Sequence, residues 1–158
     1  SGNFYDNLMM TIQSKFSNLI TSKKPTSKIL YLSRELTNRR KVRNDNEIRY
    51  FVKLNGGKTL ILEETSWIDQ LAYFKNCEFL ISPHGASLTN MIFCSNNVKI
   101  IEFRHHNSKI QNMYFSLSSS LKVDYFYIKC QGDNEDSHVS DIEVPVKKLQ
   151  LLFNTFDD

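Results

Sequence analysis

Short apolar runs alternate with amphipathic segments along most of this chain, and this alternation constrains the fold more than any other feature. Apolar residues at helical spacing predict helices, whereas runs such as KILYLS and VKIIEF predict buried strands. The predicted strands cover residues 28–33, 58–62, 78–82, 98–103 and 123–129. The predicted helices cover residues 4–20, 44–54, 66–76, 86–93, 109–121 and 144–156.

Strands that alternate with helices at this spacing build βαβ units, in which helices cover both faces of a parallel sheet. Right-handed crossovers then favour a doubly wound, Rossmann-like α/β fold. We predict a five-stranded parallel sheet in the order 2-1-3-4-5, in one domain over residues 28–158. A helix and a linker precede it at residues 1–27. Ligands bind such sheets at the carboxyl ends of the strands, where the strand order reverses.

The composition fits a globular protein with an anionic ligand. The 158 residues are 41% apolar and 23% charged, and the net charge of +3 is too small to favour nucleic acid as a partner. Cys77, Cys94 and Cys130 are far apart and lack CxxC spacing, which indicates neither a zinc site nor a disulfide framework. No apolar run is long enough to span a membrane. The opening Ser1-Gly2-Asn3 leads us to expect a piece of a longer protein.

The segment LISPHGASLTN, residues 80–90, is the candidate ligand-binding turn. A strand that runs into a helix here presents unpaired backbone N–H groups and the positive end of a helix dipole, which suits phosphate. Gly85 and Ala86 permit close approach to the backbone, and His84 stands at the end of the strand. The alternative is an ordinary strand-to-helix connection, since neither a P-loop nor a GxGxxG fingerprint is present.

A basic run follows the first strand, at the edge of the sheet where ligands bind. It consists of Arg34, Arg39, Arg40, Lys41 and Arg43. Arginine forks match phosphate oxygens, although a solvated loop is the simpler interpretation of any one of them. Arg34 is the best placed, because the first and third strands are predicted neighbours and its position then lies beside the His84 turn. The helix that follows has a capping-box-like start at Asn44 and Glu47.

Two further groups of polar residues follow predicted strands. Glu63, Ser66, Trp67 and Gln70 can hold a nucleobase or ribose, but core packing explains Trp67 equally well and a plain N-cap explains Ser66. Glu102 can accept a hydrogen bond from a sugar or ribose hydroxyl, or it is simply an exposed strand end.

Two other polar groups are weaker candidates for metal sites. His105 and His106 are adjacent, and adjacent strand residues face opposite ways, so a metal pair is not indicated. Asp133, Glu135 and Asp136 belong to a DNED sequence rather than a DxD motif. We interpret residues 131–140 as a solvated, mobile loop.

Four segments together resemble glycosyltransferase family 61: YLSR (31–34), RRKVRNDNEI (39–48), LEETSWIDQLAYFKNCEFLISPHGASLTNMIF (62–93) and IIEF (100–103). The family pattern is carried by Arg34, Arg40, Asn44, Asp45, Glu47, Gln70, His84, Gly85, Ala86, Ser87, Leu88, Asn90 and Glu102. Ser87 stands where the family often has glycine, which is a mild departure.

The resemblance implies one half of a GT-B architecture, in which the carboxyl-terminal domain binds a nucleotide-sugar, here a UDP-sugar. It also implies an inverting reaction, no metal cofactor, and a glycan or glycoprotein acceptor. The general base commonly belongs to an amino-terminal acceptor-side domain, which residues 1–27 are too short to form. A non-catalytic Rossmann-like module that binds a nucleotide or sugar phosphate is the alternative function.

Overall fold

The computed structural model describes residues 26–108 and 112–156, together with residues 7, 10–12, 14 and 15, which are helical. The remainder of the helix predicted at 4–20 and most of the predicted linker lie outside the described residues. The boundary at residue 28 therefore stays a prediction. No helix in the described part of the chain is long and apolar enough to cross a membrane.

The described chain alternates strands with helices, as the sequence predicts. The strands are β1 Ile29–Leu32, β2 Lys58–Leu60, β3 Phe79–Pro83, β4 Lys99–His105, β5 Asp124–Gly132 and β6 Ile142–Glu143. The α-helices are α1 Asp45–Leu54, α2 Trp67–Asn76, α3 Met113–Leu121 and α4 Val146–Asn154. Two 3-10 segments span Leu62–Glu64 and Ala86–Phe93.

One sheet of six strands, mostly parallel, organises this mixed α/β fold in the order β2-β1-β3-β4-β5-β6. The neighbours of the first five strands follow the predicted order, but the predicted strand count is wrong. β6 is a sixth strand that pairs antiparallel with the end of β5, through Gln131 with Glu143 and Gly132 with Ile142. A two-residue strand is too short to leave a periodic pattern in the sequence.

Alternate residues of each strand enter different cores, because successive side chains of a strand point to opposite faces. Leu30, Leu80 and Ile100 pack on one face with residues of α2, α3 and the Ala86–Phe93 segment. Tyr31 and Ile101 pack on the other face with residues of α1 and α4. Both faces are thus covered, which fixes the strand ends in place.

Residues 133–140 form a largely exposed loop, as expected, whose polar groups are hydrogen-bonded to one another. The Asp133 carboxylate accepts hydrogen bonds from the Asp141 amide at 2.9 Å and the Ser140 hydroxyl at 3.1 Å. The ring of His105, on β4, lies 2.9 Å from the carbonyl oxygen of Asn134. Acidic residues here tie their own loop together through local turn bonds, and the loop is thereby held against β4.

Two of the three cysteines are neighbours in space despite their separation in sequence. Cys77 follows α2 and Cys94 follows the Ala86–Phe93 segment, and their sulfur atoms are 3.7 Å apart in the core. Both are free thiols, as is Cys130.

Candidate functional site

The ends of β1 and β3 bring Arg34 against the His84 turn, because the two strands are parallel neighbours in register. The contact is close: a Cβ atom added to Gly85 would lie 2.5 Å from Nη1 of Arg34. Gly85 has an extended backbone, with φ of 166°, so any residue could adopt its conformation. Its lack of a side chain therefore serves the close approach of the guanidinium group.

Arg34 and Arg40 place two guanidinium groups at this edge without full compensation. In the part of the chain that the structure describes, the Nε atoms of both are buried and lack a hydrogen-bond partner. Burial lowers the pKa of Arg34, and so does the positive charge of Arg40, while Glu63 and Tyr114 oppose the change. Buried donors and like charges are costly unless an acceptor completes them. The arrangement is therefore suited to an anion.

The conformation of Arg40 is unusual for a residue with a side chain, since its φ of 57° is in the left-handed region. Such a conformation costs free energy and persists only where the surroundings hold it. Lys41, the next residue, is held at both backbone groups: its amide donates to the Asp141 carboxylate at 2.7 Å, and its carbonyl accepts from Ile142 at 2.9 Å. The residues around β6 thus hold in place the loop segment that contains Arg40.

His84 is oriented by a buried carboxylate. Its Nδ1 atom is hydrogen-bonded to one oxygen of Glu102, and the hydroxyl of Tyr125 donates to the other oxygen. Glu102 is fully buried, so the interpretation of it as an exposed strand end is wrong. Direct contact with a ligand is also unsupported, because both oxygens are bound within the protein. A carboxylate accepts only, so the Nδ1 proton is donated to Glu102 and Nε2 is the ring nitrogen left for a ligand.

The predicted helix at residues 86–93 is a 3-10 segment rather than an α-helix. The N–H groups of its first residues still lack partners within the segment. Because hydrogen-bond geometry is poorer in a 3-10 helix, the dipole of this segment attracts an anion less strongly than an α-helix would. Ala86 is exposed and Ser87 lies with its hydroxyl 3.1 Å from that of buried Ser82. Leu88 is fully buried, so its side chain anchors the turn to the core. Asn90 is partly exposed on the same segment.

The predicted base and ribose group is divided by the structure. Ser66 is the N-cap of α2 and accepts from the Asp69 amide at 3.2 Å, as its plain structural interpretation predicts. Gln70 donates to the carbonyl oxygens of Leu62 and Thr65, each at 2.8 Å, so its amide group fastens the segment that carries Glu63.

The two remaining members of that group are accessible to a ligand. Core packing is the wrong interpretation of Trp67, which is 46% exposed and meets the Phe93 ring edge-on at 5.4 Å. Glu63 is exposed, and its charge acts on Arg34.

The capping box predicted at Asn44 and Glu47 does not form. Asn44 occupies the N-cap position of α1 without a side-chain cap bond, and Glu47 is exposed. The Asn44 amide instead donates to the Val144 carbonyl at 2.9 Å and accepts from the Val144 N–H at 3.0 Å. Asp45 is the anchor of this motif, since it accepts from the hydroxyls of Tyr31 at 2.5 Å and Ser33 at 3.2 Å.

The histidines after Glu102 have structural contacts. Their rings lie 4.4 Å apart, closer than strand alternation suggests, because β4 ends at His105 and His106 lies in the following turn. Nδ1 of His105 accepts from the Asn107 amide at 3.0 Å, and Nδ1 of His106 accepts from the Gly132 amide at 3.2 Å. Among the described residues, no group of three or more His, Cys, Asp or Glu side chains is placed to hold a metal ion.

Sequence reasoning missed residues that reach the site from distant parts of the chain. Ser137 and His138 line a small cavity of about 30 Å³ with Arg40 and His84. The Tyr114 ring meets the His84 ring edge-on at 5.2 Å. No local pattern marks these residues, since they become neighbours of the turn only through the sheet order.

One comparison with known proteins finds a match. The family model described as Glycosyltransferase 61 matches residues 2–101, which include Arg34, Arg40, Gln70 and the His84 turn. The match ends one residue before Glu102. A search of curated proteins finds no match.

Proposed function

The chain belongs to glycosyltransferase family 61, and from that premise we propose that it is the donor-binding domain of an inverting glycosyltransferase. The donor is a nucleotide-sugar, most simply a UDP-sugar, and the domain is the Rossmann-like, carboxyl-terminal half of a GT-B enzyme. One observation carries the proposal: Arg34 and Arg40 both have a buried, unpaired Nε at the carboxyl edge of the sheet, and Arg34 lies against the Gly85 backbone.

In this proposal the two arginines and the first N–H groups of the Ala86–Phe93 segment bind the diphosphate, and His84 donates to it from Nε2 when its ring carries both protons. Arginine pairs bidentately with phosphate oxygens, so a diphosphate would complete donors that otherwise stay unsatisfied. These groups would supply the positive charge at the diphosphate, without a metal ion bound by a DxD motif. Trp67 offers a half-exposed ring on which a base can stack, and Glu63 can accept from ribose hydroxyls.

The reaction is a direct displacement at the anomeric carbon. The acceptor oxygen forms a bond to that carbon as the bond to the diphosphate oxygen breaks, and the leaving nucleoside diphosphate takes the electron pair. A base accepts the acceptor's hydroxyl proton, and we propose that it belongs to the amino-terminal domain of the GT-B pair. Donors already aimed at the leaving diphosphate stabilise the charge that develops there. Glu102 and Tyr125 hold His84 for this role.

Calorimetric titration with a panel of nucleoside diphosphates and nucleotide-sugars tests the proposal. We expect UDP and UDP-sugars to bind, and Arg34→Ala to weaken UDP by about tenfold or more, the effect of one charge-assisted bond. Arg43→Ala is the matched control, since Arg43 belongs to the same basic run but is exposed. Failure of every nucleoside diphosphate to bind a folded sample, or equal losses in the two variants, would contradict the donor assignment.

A further inference from the structure

A second pocket lies between β5 and α3, and the donor-site argument does not use it. Its cavity is about 440 Å³, and its lining includes Arg104, Phe115, Tyr125, Tyr127 and Lys129. We propose that this aromatic–basic pocket binds an anionic saccharide, the acceptor glycan of the transfer reaction. The inference rests on the proposed function, because it names the chemical class of the second substrate.

Strand alternation presents three of these residues to the pocket together. Tyr125, Tyr127 and Lys129 are alternate residues of β5 and so share one face. The intervening Ile128 and the following Cys130 are buried in the core on the opposite face, and the intervening Phe126 packs against that core. The pocket face of β5 is thus selected by the same alternation that builds the core.

Two aromatic rings of the pocket are open to solvent. Phe115 is 52% exposed and Tyr127 is 51% exposed. The Phe115 ring meets the Tyr125 ring edge-on at 5.9 Å, which joins α3 to β5 across the pocket. Burial of exposed aromatic rings against an apolar ligand surface is favourable. The C–H face of a pyranose ring is apolar and has the shape to cover such a ring.

The pocket is also positively charged. The Arg104 guanidinium lies 5.2 Å from the centre of the Tyr127 ring, and Lys129 is exposed two residues further along β5. None of the described residues that line the pocket is acidic. Among the ion pairs between described residues, none includes Lys129. A carboxylate on a sugar could therefore pair with Lys129, and charge-assisted bonds are the stronger class.

Tyr125 connects this pocket to the candidate donor site. Tyr125 lines the pocket, and its hydroxyl donates to Glu102, which is hydrogen-bonded to His84. A saccharide in the pocket would thus lie one side chain away from the group that orients His84. The volume is within the range of about 300–1,000 Å³ typical of small-molecule sites. Proximity and size together fit an acceptor that must meet the donor sugar.

Titration with uronic-acid trisaccharides and with their neutral methyl esters, in the presence and absence of UDP, tests the proposal. We expect the acids to bind and the esters to bind about tenfold more weakly or worse, because the esters lose a charge-assisted contact. Tyr127→Ala and Lys129→Gln should each weaken the acids by about tenfold and leave UDP affinity unchanged. Tyr50→Ala and Lys147→Gln, exposed residues on α1 and α4, are the matched controls and should change neither affinity.

Three outcomes would overturn the pocket assignment: no acidic saccharide of the panel binds, acids and esters bind equally, or the pocket variants lose UDP affinity instead. The last result would assign the pocket to the nucleoside of the donor. The two proposals fail separately: loss of UDP binding with saccharide binding intact sinks the donor site alone, and the reverse result sinks the pocket alone.

Discussion

Arg34 and Gly85 depend on each other at the scale of single residues. The guanidinium group occupies the space that a side chain at position 85 would need. The obstructing atom is the end of a flexible side chain, so a methyl group at position 85 would move Arg34 rather than break the fold. A substitution at Gly85 can therefore report on the arginine without touching it.

Gly85→Ala should weaken UDP by about tenfold through displacement of Arg34, and change the free energy of unfolding by less than about 1 kcal/mol. Calorimetric titration and urea unfolding measure the two effects. In an Arg34→Ala background the same substitution should cost little further affinity, because the displaced group is already gone. Full, additive losses in the double variant would show that Gly85 acts independently of Arg34.

Tyr31 and Tyr125 link protonation to stability. Burial, followed by the neighbouring Asp45, raises the pKa of Tyr31, and burial, followed by a hydrogen bond to Glu102, raises the pKa of Tyr125. A raised pKa in the folded state means that the folded protein keeps a proton that the unfolded chain releases. Their stabilising contribution is therefore complete below the unfolded pKa of about 10 and declines as the pH rises above it.

The free energy of unfolding in urea should decrease above about pH 10, with up to about 1.4 kcal/mol per pH unit from each such tyrosine. Tyr31→Phe should make this decrease shallower, because Phe has no proton to release. Tyr50→Phe, an exposed tyrosine, should leave it unchanged. Identical alkaline slopes in the wild type and Tyr31→Phe would contradict the assignment.

At the scale of elements, the sequence predicts what local periodicity determines. The first five strands and the described α-helices follow from alternating and helical spacing, since each pattern is complete within one segment. The contacts of Lys41 with Asp141 and of Asn44 with Val144, which flank β6, join residues 100 positions apart. No periodic pattern encodes such a pair. The capping box predicted at Asn44 follows from local sequence, but in the structure the Asn44 side chain contacts Val144 instead.

Asn44→Ala should destabilise the protein by about 1–3 kcal/mol, because it leaves the backbone N–H and C=O of buried Val144 without their partner. Urea unfolding measures the loss, and faster hydrogen exchange at the Val144 amide locates it. Asn46→Ala, at an exposed position two residues along, is the control and should change stability by less than about 0.5 kcal/mol. Equal losses of stability in the two variants would mean that the Asn44–Val144 hydrogen bonds do not stabilise the fold.

At the scale of the whole molecule, the site is shared between the family-matched region and the rest of the chain. The match covers residues 2–101, whereas Glu102, Tyr114 and Tyr125 lie beyond it. The contact of Arg34 with the His84 turn could be predicted from sequence, because the strand order already makes β1 and β3 neighbours. The burial of Glu102 could not be predicted from sequence, because its partners belong to two other strands. His84 follows β3, and Tyr125 is on β5.

The three cysteines report on global unfolding, because all are buried. Burial raises the pKa of Cys130 to about 12, and the hydrogen bond with Cys77, followed by burial, raises the pKa of Cys94. Protonated, buried thiols are poor nucleophiles. Iodoacetamide at pH 8 should therefore label none of them in the folded protein and all of them in urea, as mass spectrometry can measure. Labelling of Cys77 or Cys94 in the folded state would contradict this packing.

The central claim is that Arg34, Arg40 and the His84 turn hold a diphosphate. Parallel titrations with UDP and with uridine test it most directly, because the two ligands differ only in that group. We predict that UDP binds at least about 100-fold more tightly than uridine, from two or more charge-assisted contacts, and that an Arg34→Ala, Arg40→Ala double variant removes most of this difference. Equal binding of UDP and uridine, or an unchanged difference in the double variant, would contradict the account.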